Sequence, residues 1–154
     1  MASAPRPHIL LVDDDLAVLR VLDRALTRLG ARVSVAADRE TARSIVSADD
    51  VDALVLDYRL PGARGTTLLR ELAAASPRLR HRAVFMTGDI STEADEAIRA
   101  TSCPCLHKPF PMGALESLVR NLFENDARGP LLRAQRTAAE PAPLVETSAV
   151  IPAV

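Results

Sequence analysis

Five short apolar runs, each followed by a segment with apolar residues at helical spacing, predict an α/β domain built on an open parallel sheet. The first and third runs, Ile9 to Val12 and Val51 to Leu56, read as buried strands of the kind found when helices cover both faces of a sheet. Four of the five runs also stop at an acid, a hydroxyl or a lysine, which places polar residues at those strand ends. Strand–helix–strand units of this kind close with right-handed crossovers.

The first strand lies in HILLVDDD, His8 to Asp15, with Ile9, Leu10, Leu11 and Val12 as its apolar run. Asp15 is placed to cap a helix carrying Val18, Leu19, Leu22, Ala25, Leu26 and Leu29 on one side. Gly30 ends that helix, since glycine adopts the left-handed conformation of a C-terminal cap without strain. Ala31 to Ala36 reads as a strand, and Asp38 to about Ser47 as a helix with Ala42, Ile45 and Val46 facing inward. Val51 to Leu56 is a buried strand ending at Asp57, followed by a loop, YRLPGARG, and a helix from Thr66 to Ala75 that stops before Pro77. Arg82 to Met86 is a strand ending at Thr87, and Ser91 caps a helix running to Ala100. Cys103 to His107 is a short fifth strand. Pro111 then suits the first turn of a last helix through Phe123, with Met112, Leu115, Leu118, Val119 and Leu122 inward.

Residues 8–125 therefore form the expected domain, preceded by a flexible segment, 1–7. After Asn125 the chain turns Ala- and Pro-rich without a sustained period, and 126–154 reads as a disordered tail, too poor in apolar periodicity for a DNA-binding output domain. Its apolar end, VIPAV, is alternatively a peptide that adds to a sheet edge, with a disordered remnant the plainer reading. A hydrophobic content of 48% supports a full core. The formal net charge of −1, with no Lys/Arg block, leaves no electrostatic footprint for nucleic acid. No apolar stretch approaches the roughly 18 residues of a membrane span, and the N-terminus lacks a signal-peptide core. The two cysteines, Cys103 and Cys105, do not form a disulfide framework, so a reducing cytoplasm is the expected compartment.

In a sheet of this type ligands bind beyond the C-terminal ends of the strands. Asp13 and Asp14 follow the first strand, Asp57 the third, Thr87 the fourth and Lys108 the fifth. Any one acid at such a position is an ordinary turn residue. Together they bring three carboxylates, a hydroxyl and an ammonium to one rim. Three close carboxylates repel one another, and oxygen-only ligands suit Mg²⁺. A carboxylate between a metal and a lysine is placed to attack a phosphoryl group, which gives an aspartyl phosphate at Asp57.

The segments LLVDDD, LVLDYRLPGARG, VFMTG and HKPF closely resemble, in order and spacing from about His8 to Asn125, the signature segments of the response-regulator receiver domain (CheY-like). The resemblance implies a flavodoxin-like strand order of 2-1-3-4-5. It implies that Asp57 takes phosphate from a phosphohistidine on a sensor histidine kinase or phosphotransfer protein. Asp14 and Asp57 would bind Mg²⁺ with the backbone carbonyl of Arg59, and Asp13 would act through metal-bound water. Thr87 would hydrogen-bond the phosphate, Lys108 would pair with it, and the Lys108–Pro109 bond would be cis. A downstream protein would bind the face of helix four, strand five and helix five, or phosphate would pass onward. Catalysis would be confined to the domain's own phosphorylation and dephosphorylation.

One position departs from the family. Where a Tyr or Phe usually stands three residues before the lysine, this chain has Cys105, too small to fill the same space when the threonine moves. Phosphorylation should survive, whereas the output face should respond weakly or by another route. Cys103 and Cys105 are expected as buried structural residues, and His8, His81 and His107 carry no catalytic role. Arg59 and Asp89, each two residues after a site residue, either pair over the site and slow dephosphorylation or are two exposed charges. A haloacid-dehalogenase-type phosphatase fits poorly, because Ala17 breaks its nucleophile motif and no later acidic pair follows Lys108. A pseudo-receiver, docking without phosphorylation, is the stronger alternative. A stand-alone receiver is the plain reading of the chain's organisation, and a piece of a hybrid sensor kinase would look similar.

Overall fold

The computed structural model describes residues 5–124. The expected tail, 126–154, lies outside them. Ten elements alternate: β1 (His8–Val12), α1 (Leu16–Arg28), β2 (Arg32–Ala36), α2 (Arg39–Ala48), β3 (Ala53–Asp57), α3 (Gly65–Ala75), β4 (Ala83–Thr87), α4 (Thr92–Arg99), β5 (Cys105–His107) and α5 (Met112–Leu122). The strands form one parallel sheet in the order β2-β1-β3-β4-β5, the flavodoxin-like arrangement that the resemblance implied.

Because successive side chains on a strand point to opposite faces, each central strand feeds two cores. Ile9, Leu11, Val55, Val84 and Met86 pack with α1 and α5, against Leu19, Leu22, Leu115 and Val119. Leu10, Val12, Leu54, Leu56 and Phe85 pack on the other face with α2, α3 and α4, against Ala42, Leu68, Leu72 and Ile98. The helices are stopped and started as the sequence indicates. The Asp15 carboxylate accepts from the Ala17 and Val18 N–H groups at the start of α1. Gly30, just past its end, has φ of 106°, a conformation that suits glycine. Asp38 and Ser91 cap α2 and α4, accepting from Thr41 N at 2.8 Å and Ala94 N at 3.1 Å.

Three features differ from the sequence reading. The segment YRLPGARG is not a plain loop, for Arg59–Leu60 and Ala63–Arg64 pair as a small antiparallel ribbon turning at Gly62, φ 75°. A 3₁₀ turn, Pro77–His81, fills the link between α3 and β4. β5 starts at Cys105 rather than Cys103, because Pro104 has no N–H for the ladder and contributes only its carbonyl, which accepts from Phe85 N at 2.9 Å.

Buried polar contacts fix the opposite end of the sheet. His8 Nε2 lies 2.7 Å from Ser34 Oγ, and Asp52 accepts from His8 N at 2.8 Å while pairing with Arg78 at 3.1 Å. Both histidine and aspartate are there to join β1, β2 and β3, and neither approaches the rim where the acids lie. Among the described residues, no helix is long and apolar enough to cross a membrane.

Phe85 is fully buried in the second core, whereas Leu16 is 58% exposed. Phe85→Ala is expected to cost about 3–5 kcal/mol of stability, and Leu16→Ala less than about 0.5 kcal/mol, as read by denaturant unfolding.

Candidate functional site

The parallel sheet delivers the site because every strand ends on the same edge. Asp13 and Asp14 come directly after β1, Asp57 and Thr87 are the last residues of β3 and β4, and Lys108 directly follows β5. The structure brings the acids together: carboxylate oxygens of Asp13, Asp14 and Asp57 all lie within 4.8 Å of one another. Asp13 and Asp57 are buried, and Asp14 is exposed at the mouth.

Lys108 enters this acidic group directly. Its Nζ is 2.8 Å from Asp13 Oδ2 and 3.4 Å from Asp57 Oδ2. The second Asp13 oxygen accepts from Asp15 N at 2.9 Å, and Asp57 Oδ1 accepts weakly from Arg59 N at 3.3 Å. Burial, and next the negative charge of Asp13, push the Asp57 carboxyl up to about 6, with Lys108 pulling the other way. For Lys108, burial works to lower the ammonium, but the hydrogen bond and charge of Asp13, with those of Asp57, outweigh it and hold the group above its ordinary value. The Lys108–Pro109 bond is cis.

A second cluster adjoins the first. The buried Thr87 hydroxyl accepts from Asp89 N at 2.8 Å. Asp89 Oδ1 accepts from Ser91 N at 2.9 Å, and its Oδ2 receives Arg59 Nε at 2.8 Å and Nη2 at 2.6 Å. The bonds from Ser91, and then Arg59, hold the Asp89 carboxyl well below the usual range. Arg59 and Asp89 form an ion pair, with the Arg59 side chain 59% exposed.

The cysteines need correction. Both are only half-buried rather than buried, because β5 lies at the edge of the sheet and is covered less completely. Burial, and secondarily Asp95, push Cys105 up to about 11, and burial raises Cys103 as well, so both stay thiols. His107 is exposed, and His81 lies in the 3₁₀ turn, away from the acids. A cleft of about 400 Å³ between α3 and α4 also lies elsewhere: its lining includes Leu69, Ala73, Arg80 and Ala97 but no carboxylate. The converging acids and lysine, rather than the cleft, mark the candidate site.

Sequence reading missed Gly65. This residue opens α3, its N–H donates to Tyr58 O at 2.6 Å, and a Cβ there would collide with the backbone carbonyl of Asp57. It lets α3 start directly behind the central acid. Only the glycine itself, in the run ARGTT, signalled this, and a close approach is not visible in one dimension.

A parallel α/β sheet with an acid triad and a lysine converging at one strand edge defines a class of small signalling domains as much as a fold. The response regulator receiver domain family matches residues 9–120, and the chain belongs to that family. It is 33% identical over 122 residues to the chemotaxis protein CheY of Pseudomonas aeruginosa, covering 75% of this chain and 95% of that protein. It is 32% identical over 136 residues to Protein PetR of Rhodobacter capsulatus, covering 84% of this chain and 56% of PetR. Among solved structures, the signal receiver domain of an HD domain-containing protein from Pseudomonas fluorescens superposes with a TM-score of 0.70 at 27% identity, covering 77% of this chain and 95% of that one. The C4-dicarboxylate transport transcriptional regulatory protein DctD of Rhizobium meliloti matches at 31% identity over 94% of this chain but only 32% of its own length. The chain thus spans about half or less of several of the curated relatives it matches. It is a receiver domain of two-component signalling.

Two outcomes follow from the geometry. Gly65→Ala should destabilise the domain by about 2 kcal/mol, measured by denaturant unfolding, because the new methyl must displace the Asp57 carbonyl. The raised Asp57 carboxyl binds a proton in the fold that the unfolded chain gives up between the ordinary carboxylate value and about 6. Its stabilising contribution is therefore full below about pH 4 and lost as pH rises through 6. In chelator, Asp57→Asn should be more stable than the unsubstituted protein by about 2 kcal/mol near neutral pH, with the gap closing below about pH 4.

Proposed function

We propose that Asp57 accepts a phosphoryl group from the phosphohistidine of a sensor histidine kinase or phosphotransfer protein, with Mg²⁺ bound at the rim. The observation that carries this reading is Lys108 Nζ lying between Asp13 and Asp57 within a group of three carboxylates. The acid set fits a small oxygen-seeking cation: three anionic side chains and one ammonium leave net negative charge in a partly buried space. Asp13, Asp14 and Asp57, with the backbone carbonyl of Arg59, would hold it. When bound, Mg²⁺ supplies positive charge that offsets the charge on the transferring phosphoryl oxygens.

The chain's own residues do the rest. An Asp57 oxygen forms the new P–O bond as the P–N bond of the donor imidazole breaks, and the imidazole leaves with that bonding pair. Lys108 stands beside the Asp57 oxygen and offsets the charge of the transferring group. The Thr87 hydroxyl, at the end of the neighbouring strand, hydrogen-bonds a phosphoryl oxygen once it is in place. Arg59 and Asp89, paired at 2.6 Å beside the site, slow the approach of hydrolytic water. The signal then leaves by protein docking on the α4–β5–α5 face or by onward phosphotransfer, and any output domain belongs to whatever else the protein carries.

Incubation with Mg²⁺ and acetyl phosphate, or with a phosphorylated kinase, should add one phosphoryl group by intact mass. Asp57→Asn should add none, and Lys108→Ala should slow the reaction at least about tenfold. Modification of Asp57→Asn, or none in the unsubstituted protein with any donor, overturns the reading; the latter assigns phosphorylation-independent docking. Arg59→Ala should shorten the phosphorylated lifetime several-fold, and an unchanged decay rate rejects a water-excluding role for the pair.

A further inference from the structure

The cleft between α3 and α4 has a definite cause. Ala73 of α3 meets Ala97 and Ala100 at the end of α4, so small side chains stand where larger ones would close the gap. Leu69 and Ala73, both buried, form an apolar floor, and about 400 Å³ is left above it, the size of a small binding pocket. Arg70 and Arg80 also line the cleft, and both are exposed. Arg39, Arg59, Arg78 and Arg99 each pair with an acid, whereas Arg70 and Arg80 have no ion pair or side-chain hydrogen bond among the described residues. An apolar floor beside two unpaired guanidinium groups suits an apolar segment that carries carboxylates.

The chain leaves the described domain close to this cleft. Phe123 follows α5, and its ring centroid lies 5.1 Å from Cζ of Arg82, the residue directly before β4. Arg80 stands two residues earlier, at most about 7 Å along the backbone. Beyond Glu124 the sequence carries one segment of the required chemistry, Glu140-Pro-Ala-Pro-Leu-Val-Glu146, an apolar run with an acid at each end. Glu140 and Glu146 are the only acids from Ala127 onward. Residues 125–139 join this segment to the domain. A chain of that length spans about 20 Å on average, enough to round the sheet edge from Phe123 to Arg80.

We propose that residues 140–146 dock in the α3–α4 cleft of the same molecule, with Leu144 and Val145 on the apolar floor and the two glutamates paired with Arg70 and Arg80. Pro141 and Pro143 restrict the segment to extended conformations, which lowers the cost of ordering it on the cleft. The tether holds it at an effective concentration on the order of millimolar, so contacts too weak to retain a separate peptide suffice. The docked segment straps α4, which buries only Ala94 and Ile98, to α3. The strap lies over the face of the sheet that α3 and α4 cover, and it needs no phosphoryl group at Asp57.

Methyl NMR of the full chain tests this. NOEs are expected from the Leu144 and Val145 methyls to those of Leu69 and Ala97, with the same relative intensity after dilution. Glu140→Gln with Glu146→Gln should weaken them at least about threefold, and Leu144→Asp should remove the Val145 contacts as well. Arg70→Glu with Arg80→Glu should weaken them as much as the glutamine pair, and adding Glu140→Arg with Glu146→Arg should restore them. If the arginine variants do not fold, the substitutions at 140, 144 and 146, which lie outside the domain, decide. Absence of these NOEs overturns the proposal, as do contacts from Leu144 and Val145 to the β2 or β5 edge instead. NOEs that arise only between a labelled copy and an unlabelled one also overturn it, because the segment then docks on a second molecule. So do Val145 contacts that persist undiminished in Leu144→Asp and in the glutamine pair.

Discussion

The ammonium of Lys108, 2.8 Å from Asp13 and 3.4 Å from Asp57, is the contact on which the rest of the site depends. Three carboxylates gathered at the edge of a largely buried sheet cost free energy through mutual repulsion and loss of water. Lys108 offsets part of that cost and leaves the remainder as uncompensated negative charge at the rim. The raised Asp57 carboxyl and the elevated Lys108 are two expressions of the same imbalance. The fold maintains it because β1, β3 and β5 are fixed in register by a core that does not yield, so the charges cannot move apart.

This site was legible in the sequence to the extent that its parts are local. An acid after Ile9–Val12 or after Leu54–Leu56 is recognisable because a continuous apolar run has only one place to go in an α/β domain, and its end is then the ligand-binding edge. Asp15, Gly30 and Ser91 were legible for a similar reason, since caps act on neighbours within a turn. The ribbon at Arg59–Arg64 was not, because two-residue strands carry no period. Gly65 was not either, as its reason is the approach of α3 to the Asp57 carbonyl across the fold. The half-exposure of the cysteines depends on β5 being an edge strand, a property of sheet order rather than of the segment itself. Spacing suggested Arg59 and Asp89 as partners, but only the folded geometry shows Asp89 joined also to Thr87 and Ser91.

The contrast between the two halves of the domain's task is physical. Accepting a phosphoryl group needs charge in fixed positions, and the strand ends supply that with little freedom. Reporting it needs a group with two arrangements of similar energy. Cys105 is a small, half-buried residue on the edge strand, and at the neighbouring strand end Asp89 holds Thr87, Ser91 and Arg59 through hydrogen bonds.

The central claim is that uncompensated negative charge at Asp13, Asp14 and Asp57 builds a cation site. Calorimetric unfolding near neutral pH, in chelator and then in Mg²⁺ at about ten times its dissociation constant, tests it most directly. The account predicts a rise in melting temperature of about 4 °C for the unsubstituted protein and little or none for Asp57→Asn. Equal melting temperatures in chelator and Mg²⁺, or an equal rise in Asp57→Asn, would contradict it.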